Sequence, residues 1–432
     1  MSIQAIPTQL LAQMRKYRLG IFLAISATYI VSYFHRAAPA VVGPEIMREF
    51  ALAPSELGFI GSMYFWAYAL TAVPAGLLSD NWGARKTIGV FVLLAAVGGF
   101  MFALSHSIAL MAAGRFIIGL GVGVVYVAAM RILADWYQPD EMATYSGILI
   151  AVGNMGAMIS TTPLVMLMAA IGWRNSFTAV AVLTLAGAVL AYAVIRNSPK
   201  ELGFPSPREV MGLPPMASAA RLSLATTLKA VFAKKKFYLV GILQFSFYGT
   251  FMGVASLWAG PYLQDTYAMS KAAAGNILMM FPLGMVIGCP LSGYLSDKVF
   301  KSRKRILLVG GILHLVTYIP FIMLGDRLTM PILYALFLWY GLSGSSFVSC
   351  FACVKEIYEA RFAGTAVGAL NIFLFTGGAF YQYALGQLIG CFPKLASGGY
   401  AFAAYQAVFI AAAAGIGIGL FLFAFFKEER VV

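Results

Sequence analysis

Two adjacent side chains that can bind anions or carry protons lie inside an apolar stretch near the start of the chain. His35 and Arg36 occur within the sequence VSYFHRAAPAVV, in an apolar run that begins at Ile21. A guanidinium group is costly to bury in hydrocarbon, and its planar fork matches a carboxylate or a phosphate. The position of Arg36 therefore predicts a contact with an anionic substrate.

Other interpretations of Arg36 are open. The residue is about six positions, or roughly 9 Å of helix, from the outer end of its apolar run, so its side chain could extend to the surface. It could also form an ion pair with Glu45 or Glu56, at the outer ends of the first two runs. Because no Asp or Glu lies near the middle of any apolar run, we favour the substrate contact.

The composition indicates what surrounds these residues. Of the 432 residues, 61% are hydrophobic and only 11% are charged, with a mean hydropathy of +0.84, whereas a soluble domain carries about 25% charged residues. The apolar runs do not alternate as barrel strands do, and each has the length of a membrane-spanning helix. The prediction is an all-α integral membrane protein with twelve spans, at 20–42, 57–79, 86–105, 109–131, 143–170, 174–195, 237–262, 271–294, 306–325, 331–353, 364–391 and 400–426.

The net charge of +14 follows the predicted topology and does not indicate nucleic-acid binding. If the N-terminus is inside, 23 of the 30 Lys and Arg residues fall in the terminal segments and the loops on that same side. Positive residues concentrate in the cytoplasmic segments of membrane proteins. We therefore predict that both termini are cytoplasmic, that the protein lies in the bacterial inner membrane, and that its basic segments contact membrane lipid.

A polar segment rich in proline divides the chain. Residues 196–236 contain five prolines and end in three consecutive lysines, with six predicted spans before them and six after. We therefore predict an N-terminal six-helix bundle at 1–195, a cytoplasmic linker at 196–236 and a C-terminal six-helix bundle at 237–432.

The two halves repeat each other at a constant offset. Four pairs of matching residues lie 217 positions apart, which is hard to obtain by chance and indicates a duplicated, pseudo-symmetric unit. The pairs are Gly76 with Gly293, Asp80 with Asp297, Gly147 with Gly364, and Asn154 with Asn371.

The segment GLLSDNWGARK after the second span resembles the signature loop of the major facilitator superfamily, and a partial copy, GYLSDKVFKSRKR, follows the eighth span. The matching residues are Gly76, Leu78, Asp80, Gly83, Arg85 and Lys86. Together with the layout of six spans plus six, the resemblance covers the whole chain. It implies a transporter of small solutes in which two bundles rock about a central site.

The resemblance also gives the signature loop a mechanical role. An acidic residue with two basic residues nearby at a helix end can pair with a neighbouring helix when the halves close, and such pairs are stronger away from water. The predicted conformational latch comprises Gly76, Asp80, Gly83, Arg85, Lys86 and Asp297. The alternative is that these are only turn residues and residues of the positive-inside pattern.

In the superfamily, spans 1, 4, 7 and 10 usually line the central cavity, with spans 2, 5, 8 and 11 beside them. Polar and aromatic side chains at helical spacing on these spans are the predicted substrate contacts besides Arg36. They are Tyr29, Tyr33, Tyr64, Tyr68, Tyr126, Asn154, Gln244, Tyr248, Trp339, Tyr340 and Asn371. Asn154 and Asn371 lie among small residues, so helix packing is the other interpretation of these two amides.

The first span resembles those of the organic-anion branches of the superfamily. In these branches an Arg in a Tyr-x-x-Arg setting contacts a phosphate or carboxylate, and Tyr33 and Arg36 have this spacing. Organophosphate:phosphate antiporters place a second Arg on the seventh span, but residues 237–263 contain neither Arg nor Lys. This difference favours a monocarboxylate, an amino-acid-like zwitterion or a larger anion with one carboxylate over a phosphate ester.

Two residues are candidates for coupling transport to protons. His35 is the deepest group that titrates near neutral pH on a span expected to line the cavity, although a hydrogen bond to a neighbouring helix is an equal alternative. Arg115, within GRFIIGLGVG, resembles the second motif of the superfamily. That resemblance implies either a part in proton movement or support for the first span.

The leading hypothesis is a proton-coupled secondary transporter of a small organic anion that works as a monomer. An exporter of drug-like or metabolite cargo and a membrane sensor on a transporter scaffold are the alternatives. An enzyme is not expected, because the chain has three histidines and neither His-Glu-x-x-His nor Gly-x-Ser-x-Gly. No cofactor or metal is expected either, since Cys350 and Cys353 have no second pair to complete a site.

Overall fold

The computed structural model of the protein describes residues 7–138, 140–211, 224–396 and 398–428. Most of these residues are helical, as expected for a chain whose backbone hydrogen bonds must be satisfied in hydrocarbon. The helices of the first half are Thr8–Ala37 and Pro39–Glu49 in span 1, Pro54–Thr71 and Pro74–Asn81 in span 2, Ala84–Ala103 in span 3, Ile108–Gly123 and Val125–Trp136 in span 4, Met142–Ile159 in span 5, and Thr162–Val194 in span 6.

The second half repeats this order after a segment of short helices. The connecting segment contains Pro199–Leu202, Pro207–Val210 and Leu224–Phe232. The helices of the second half are Lys235–Gly253, Val254–Trp258 and Ala259–Tyr267 in span 7, Lys271–Leu278, Met280–Tyr294 and Leu295–Val299 in span 8, Arg303–Leu324 in span 9, Met330–Gly344, Ser345–Val348 and Ser349–Ile357 in span 10, Ala360–Gly390 in span 11, and Phe402–Ala424 in span 12.

The number of spans agrees with the sequence. Ten helical stretches within the described residues are long and apolar enough to cross a membrane. The pair Pro54–Thr71 and Pro74–Asn81, bent by 54°, adds span 2, and the shorter apolar helix Thr144–Ile159 corresponds to span 5. The predicted fold, with twelve transmembrane helices in two pseudo-symmetric six-helix bundles, is confirmed. The boundaries of the bundles at residues 195 and 237 stay predictions.

Span 1 is longer than its predicted limits of 20–42. It begins at Thr8, because a helix can continue beyond its apolar residues, and it breaks at Ala38 before a second helix that ends at Glu49. Pro39 follows the break. Proline has no N–H for the hydrogen-bond ladder of the preceding helix, and it is well suited to the first turn of the next one.

The halves meet closely at one end of the bundle. We call the end at which the first helix begins and the last helix ends the termini end, and the opposite end the distal end. At the distal end a Cβ atom on Gly260 of span 7 would overlap the carbonyl oxygen of Ala40 of span 1. A Cβ atom on Gly386 of span 11 would lie 2.6 Å from the carbonyl oxygen of Pro54 of span 2. Glycine at these positions lets the backbones of the two halves touch.

Two polar contacts also join the halves at the distal end. The Nζ of Lys271 lies 2.8 Å from a carboxylate oxygen of Glu45. The hydroxyl of Thr162 donates a hydrogen bond of 2.6 Å to the side-chain oxygen of Asn276. Because both groups of the ion pair are partly exposed, it adds little stability by itself and serves to fix the alignment of spans 1 and 8.

At the termini end the halves are apart. Apart from the glycine's own helix, no described atom lies within 4 Å of the position that a Cβ would take on Gly76, Gly147, Gly293 or Gly364. These are the four glycines of the sequence repeat, on spans 2, 5, 8 and 11. The protein is therefore closed at the distal end and open at the termini end.

Replacing Gly260 with Val is expected to open the distal end. The larger side chain does not fit beside the carbonyl oxygen of Ala40, and a backbone atom cannot move aside as a flexible side chain can. Spin labels on cysteines at His106 and Arg327, in exposed distal loops of the two halves, measure the separation in a background without native cysteines. We expect the distance between the labels to increase.

Gly417→Val is the matched control for this experiment. Gly417, in span 12, has no described atom within 4 Å of its Cβ position, so its substitution should leave the distance unchanged. If Gly260→Val also left the distance unchanged, the close contact between spans 1 and 7 would not determine which end of the protein is open.

Candidate substrate site

The side chain of Arg36 is buried between aromatic rings near the middle of the molecule. Its Cζ lies 4.5 Å from the ring centre of Tyr33, 5.2 Å from that of Tyr68 and 5.7 Å from that of Phe375. Within the described residues, Arg36 forms no ion pair and its Nε has no hydrogen-bond partner. A cation over an aromatic face gains about 2 kcal/mol when desolvated, less than a buried charge needs. The guanidinium can therefore still bind an anion.

The rings around Arg36 belong to both halves of the protein. Tyr33 and Tyr68 lie on spans 1 and 2, whereas Phe375 lies on span 11. The rings of Tyr68 and Phe375 are stacked across the boundary, with their centres 3.9 Å apart and their planes inclined by 31°. The positive charge of Arg36 thus lies where the two halves meet, which is the place where a transported solute must bind.

Span 7 contributes buried polar atoms to the same region. In the described part of the chain, neither amide atom of Gln244 has a hydrogen-bond partner, and the hydroxyl of Tyr248 faces the guanidinium of Arg36. Tyr248 lies one helical turn after Gln244, and its ring centre is 6.1 Å from that of Phe375. Because about nine in ten buried polar groups in proteins are hydrogen-bonded, the two amide atoms of Gln244 indicate a surface that binds a polar ligand.

A row of tyrosines continues from Arg36 along the first half. The ring centres of Tyr29 and Tyr33 are 5.0 Å apart, and those of Tyr29 and Tyr126 are 5.7 Å apart. Gly153 of span 5 makes room for this row, because a Cβ there would lie 2.8 Å from the Tyr29 ring. The structure thus joins three of the predicted tyrosines in a row that reaches Arg36 through Tyr33.

Arg115 contacts span 1 at the point where its helix breaks. In a regular helix the carbonyl oxygen of His35 would accept a hydrogen bond from residue 39, but Pro39 has no N–H to donate. The Nη1 of Arg115 donates to this oxygen instead, at 2.7 Å. Its guanidinium also lies 4.8 Å from the ring centre of Tyr64, whose hydroxyl donates to the carbonyl oxygen of Ser32 at 3.1 Å. These contacts attach span 1 to spans 2 and 4.

The ring of His35 points away from Arg36. It is fully buried, and its Nε2 lies 3.5 Å from the hydroxyl of Thr184 in span 6. Successive residues of a helix point about 100° apart, so Arg36 faces the second half while His35 faces a span of its own half. The predicted proton carrier and the predicted anion site are therefore not in contact in this conformation.

The two predicted amides have different surroundings. Asn154 is buried, and its Nδ2 donates a hydrogen bond of 3.0 Å to the carbonyl oxygen of Ile150 in its own helix. Asn371 is half-buried and lies one helical turn before Phe375 on the same face of span 11. Of the two, Asn371 is the one placed next to the rings around Arg36.

The residues predicted on span 10 do not join the other candidates. Trp339 is 41% exposed, on the outward face of its helix. Tyr340 is buried inside the second half, where its hydroxyl lies 3.0 Å from that of Tyr318. Neither ring contacts Arg36, because the rotation of span 10 about its axis turns one residue outwards and the other into its own bundle.

The profile of a protein family described as the Major Facilitator Superfamily matches residues 25–382 of the chain. The chain belongs to the major facilitator superfamily. The match begins in span 1 and ends in span 11, so the resemblance seen in the signature loop is confirmed over most of the sequence. It also confirms the prediction of a transporter rather than an enzyme.

Relatives of this superfamily member are named as transporters of anions. The "Probable sulfoacetate transporter SauU" of Cupriavidus necator is 24% identical over 371 residues, covering 84% of this chain and 85% of that protein. A "Probable hexose phosphate transport protein" of Chlamydia trachomatis is 23% identical, with coverages of 87% and 86%. The "Hexuronate transporter" of Bacillus subtilis is 24% identical, with 67% of each chain covered.

The fold also matches solved transporter structures. A bacterial homologue of the human lysosomal transporter Spinster, in an inward-facing and unoccupied conformation, superposes with a TM-score of 0.76. The two proteins are 18% identical, and the match covers 94% of this chain and 96% of the other. At this level of identity the similarity shows the fold.

The signature-loop residues of this superfamily member contact their own half. A carboxylate oxygen of Asp80 lies 3.6 Å from a guanidinium nitrogen of Arg131 in span 4. The Nε of Arg85 donates a hydrogen bond of 2.8 Å to the carbonyl oxygen of Tyr192 in span 6. Gly83 has a φ of +82°, a conformation that favours glycine and turns the chain into span 3.

The second copy of the loop is arranged in the same way. Asp297 forms an ion pair with Arg303, whose Nε also lies 2.8 Å from a carboxylate oxygen of Glu356. Gly76 meets open space and Lys86 is exposed. In this conformation, therefore, none of the contacts described for the latch residues joins the two halves.

The structure also shows contacts that sequence reasoning missed. Phe375 was not among the candidates, although it lies one turn from Asn371 on a span expected to flank the cavity. The ion pair of Glu45 and Lys271 joins residues 226 positions apart. From the sequence, Glu45 is a candidate partner of Arg36 only.

Removing the side chain of Arg115 should destabilise the protein through the carbonyl oxygen of His35. Arg115→Leu leaves this oxygen without a donor, and the loss of such a charge-assisted hydrogen bond costs about 2 kcal/mol. Pro39→Ala supplies an N–H that can take over. Thermal unfolding should therefore show a smaller loss for Arg115→Leu in the Pro39→Ala background than in the native sequence.

This double-mutant cycle also provides its own control. Arg115→Lys keeps a charged donor and should lose less stability than Arg115→Leu in the native background. Strictly additive effects of Arg115→Leu and Pro39→Ala would contradict the assignment, because they would show that the two residues do not act on the same oxygen.

Proposed function

We propose that the protein is a secondary transporter that moves a small organic anion across the membrane by alternating access. The observation that carries the proposal is the charge of Arg36, buried at the boundary of the two halves and unpaired with any described carboxylate. A ligand anion supplies the missing charge. The relatives named for sulfoacetate, hexose phosphate and hexuronate support an anionic substrate.

The distribution of charge in the site favours a substrate with one negative charge and a neutral polar end. Arg36 is the cation at the boundary, whereas the facing part of span 7 offers the neutral groups of Gln244 and Tyr248. An amide side chain presents both a donor and an acceptor, which suits a hydroxyl group. The chemistry of a hydroxylated monocarboxylate such as a hexuronate suits both halves of the site, with its carboxylate on Arg36 and its hydroxyls on span 7.

Alternating access gives the contacts at the two ends opposite roles. The concentration of Lys and Arg at the termini end supports a cytoplasmic location for both termini, in the bacterial inner membrane. The open termini end is then the inward-facing opening of the path. When this end closes, Asp80 and Asp297 can exchange contacts within their own half for contacts with the other, and the pair of Glu45 and Lys271 must separate.

Coupling to protons is a separate part of the proposal. The ring of His35 lies beside Thr184 and not beside Arg36, so this arrangement does not favour direct exchange of a proton with the bound anion. Arg115 links His35 to the anion site through the backbone, because it binds the carbonyl oxygen of His35 directly before Arg36. A proton effect would therefore have to act through the conformation of span 1.

Arg36→Gln should abolish binding of the anion. In a thermal-shift experiment on the detergent-purified protein, we expect glucuronate to raise the melting temperature of the native protein, because a ligand that binds only the folded state stabilises it by about 2.7 kcal/mol at 100 times Kd. Glucose, which lacks the carboxylate, should not. Sulfoacetate, glucose 6-phosphate and cationic dyes complete the panel.

Arg327→Gln is the matched control, since it removes a distal, exposed guanidinium and should leave the thermal shift intact. Stabilisation by cationic or neutral compounds, or by an anion that still binds Arg36→Gln, would contradict the proposed anion site and favour an exporter of drug-like cargo. Loss of the shift in Arg36→Gln alone supports the site.

Gln244→Leu should change the selectivity of the site and not its requirement for an anion. The substitution replaces the amide with an apolar side chain of similar size. A hydroxylated acid therefore loses hydrogen bonds, whereas an acid without hydroxyls does not. We expect the thermal shift with glucuronate to fall and the shift with hexanoate to stay or rise. Equal losses for both acids would show that Gln244 does not contact the hydroxyls.

A further inference from the structure

One ring contact of Arg36 differs from the other two because it crosses between the halves, as does the approach of the Tyr248 hydroxyl to the guanidinium. Tyr33 and Tyr68 belong to the same half as Arg36, so they move with it when the halves rock. Phe375 belongs to the other half, and its ring centre is 5.7 Å from the Cζ of Arg36. Of the three ring contacts, only the one with Phe375 is therefore made or broken by the change between the two open states.

A transporter that carries out net transport must return to its starting conformation without substrate. During this return the site is closed at both ends, and the guanidinium of Arg36 is enclosed with no anion beside it. Enclosing an unpaired charge is unfavourable, and within the described residues no carboxylate is placed to neutralise it. In exchange, by contrast, every crossing takes place with an anion on Arg36.

We propose that Phe375 takes the place of the anion in the transporter without substrate. Its ring face covers the guanidinium from the second half, lets the halves close on the empty site, and so permits net transport instead of obligatory exchange. This inference rests on the proposed function of Arg36 as the anion contact. Phe375 is in this sense a positioning residue for the return step.

The surroundings of Phe375 fit this role. The ring is 6% exposed and is held between Tyr68, at 3.9 Å between centres, and Tyr248, at 6.1 Å. It is thus fixed against residues of both halves at the level of the charge. An anion that enters from the termini end meets Asn371 first and then displaces Phe375 from Arg36, beside the hydroxyl of Tyr248, which already faces the guanidinium.

The test compares two modes of transport in proteoliposomes, with radiolabelled glucuronate and sulfoacetate as the probes. In Phe375→Leu we expect net uptake into substrate-free vesicles to fall about tenfold, because the ring contact is lost, while exchange against internal substrate stays near the native rate. Phe375→Tyr should retain both activities. Equal losses of uptake and exchange, or no loss of either, would overturn the proposal.

Two further variants separate the ring face from packing. Phe347→Leu is the matched control, because within the described residues its ring is also buried in the second half and contacts Tyr248, but is not among the rings that pack on the guanidinium. It should leave the ratio of net uptake to exchange unchanged. Trifluorophenylalanine at position 375 keeps the shape of the ring and weakens its negative face, and it should reproduce the effect of Phe375→Leu.

A measurement without substrate decides the proposal even if neither probe is transported. Labels on cysteines at Gly147 and Gly293, which meet open space at the termini end, report the separation of the halves in the substrate-free protein. The native protein should show a long and a short distance, and Phe375→Leu only the long one. A single distance in the native protein, or two distances in Phe375→Leu, would refute the role of Phe375.

Discussion

The unpaired charge of Arg36 is the constraint on which the rest of the site depends. A guanidinium in the interior of a membrane protein needs either an acid or a polarisable surface, and in the described structure it has three aromatic faces. This arrangement holds the cation in place without neutralising it. The unsatisfied amide of Gln244 on the facing span has the same consequence, since it also gains a partner only when a ligand binds.

The direction of Arg36 depends in turn on a break in the backbone. Pro39 interrupts the hydrogen bonds of span 1, and Arg115 binds the carbonyl oxygen of His35 that the proline leaves free. Span 1 is therefore fixed to span 4 directly before Arg36. Arg115 thus supports the backbone of span 1 so that Arg36 can face the substrate path.

The sequence predicted the features that follow from apolar periodicity and from the constant offset between the halves. It did not predict which side chains face the substrate path where this depends on the rotation of a helix about its axis. Apolar runs predict twelve spans because hydrocarbon demands that length, and the paired glycines predict the repeat. Tyr29, Tyr33 and Tyr68 lie near Arg36 as expected, since short steps along adjacent spans keep them on one face. Trp339 could not be placed in this way, because whether a span 10 residue faces the path depends on packing within its bundle. Phe375 could not be predicted either, because its contact crosses between the halves.

The repeat explains why the two halves can rock against each other. A difference between the two copies explains which solute the site can bind. Gly260 and Pro261, at the distal contact, lie 217 positions after Gly43 and Pro44, so the same offset extends to the outer ends of spans 1 and 7. At this offset, however, Arg36 corresponds to Gly253, which has no side chain to bind a ligand. The scaffold is thus symmetric while the charge is confined to one half. A solute with one anionic end and one neutral polar end can bridge such a site, whereas a solute with two equal charges would leave one of them facing an uncharged span.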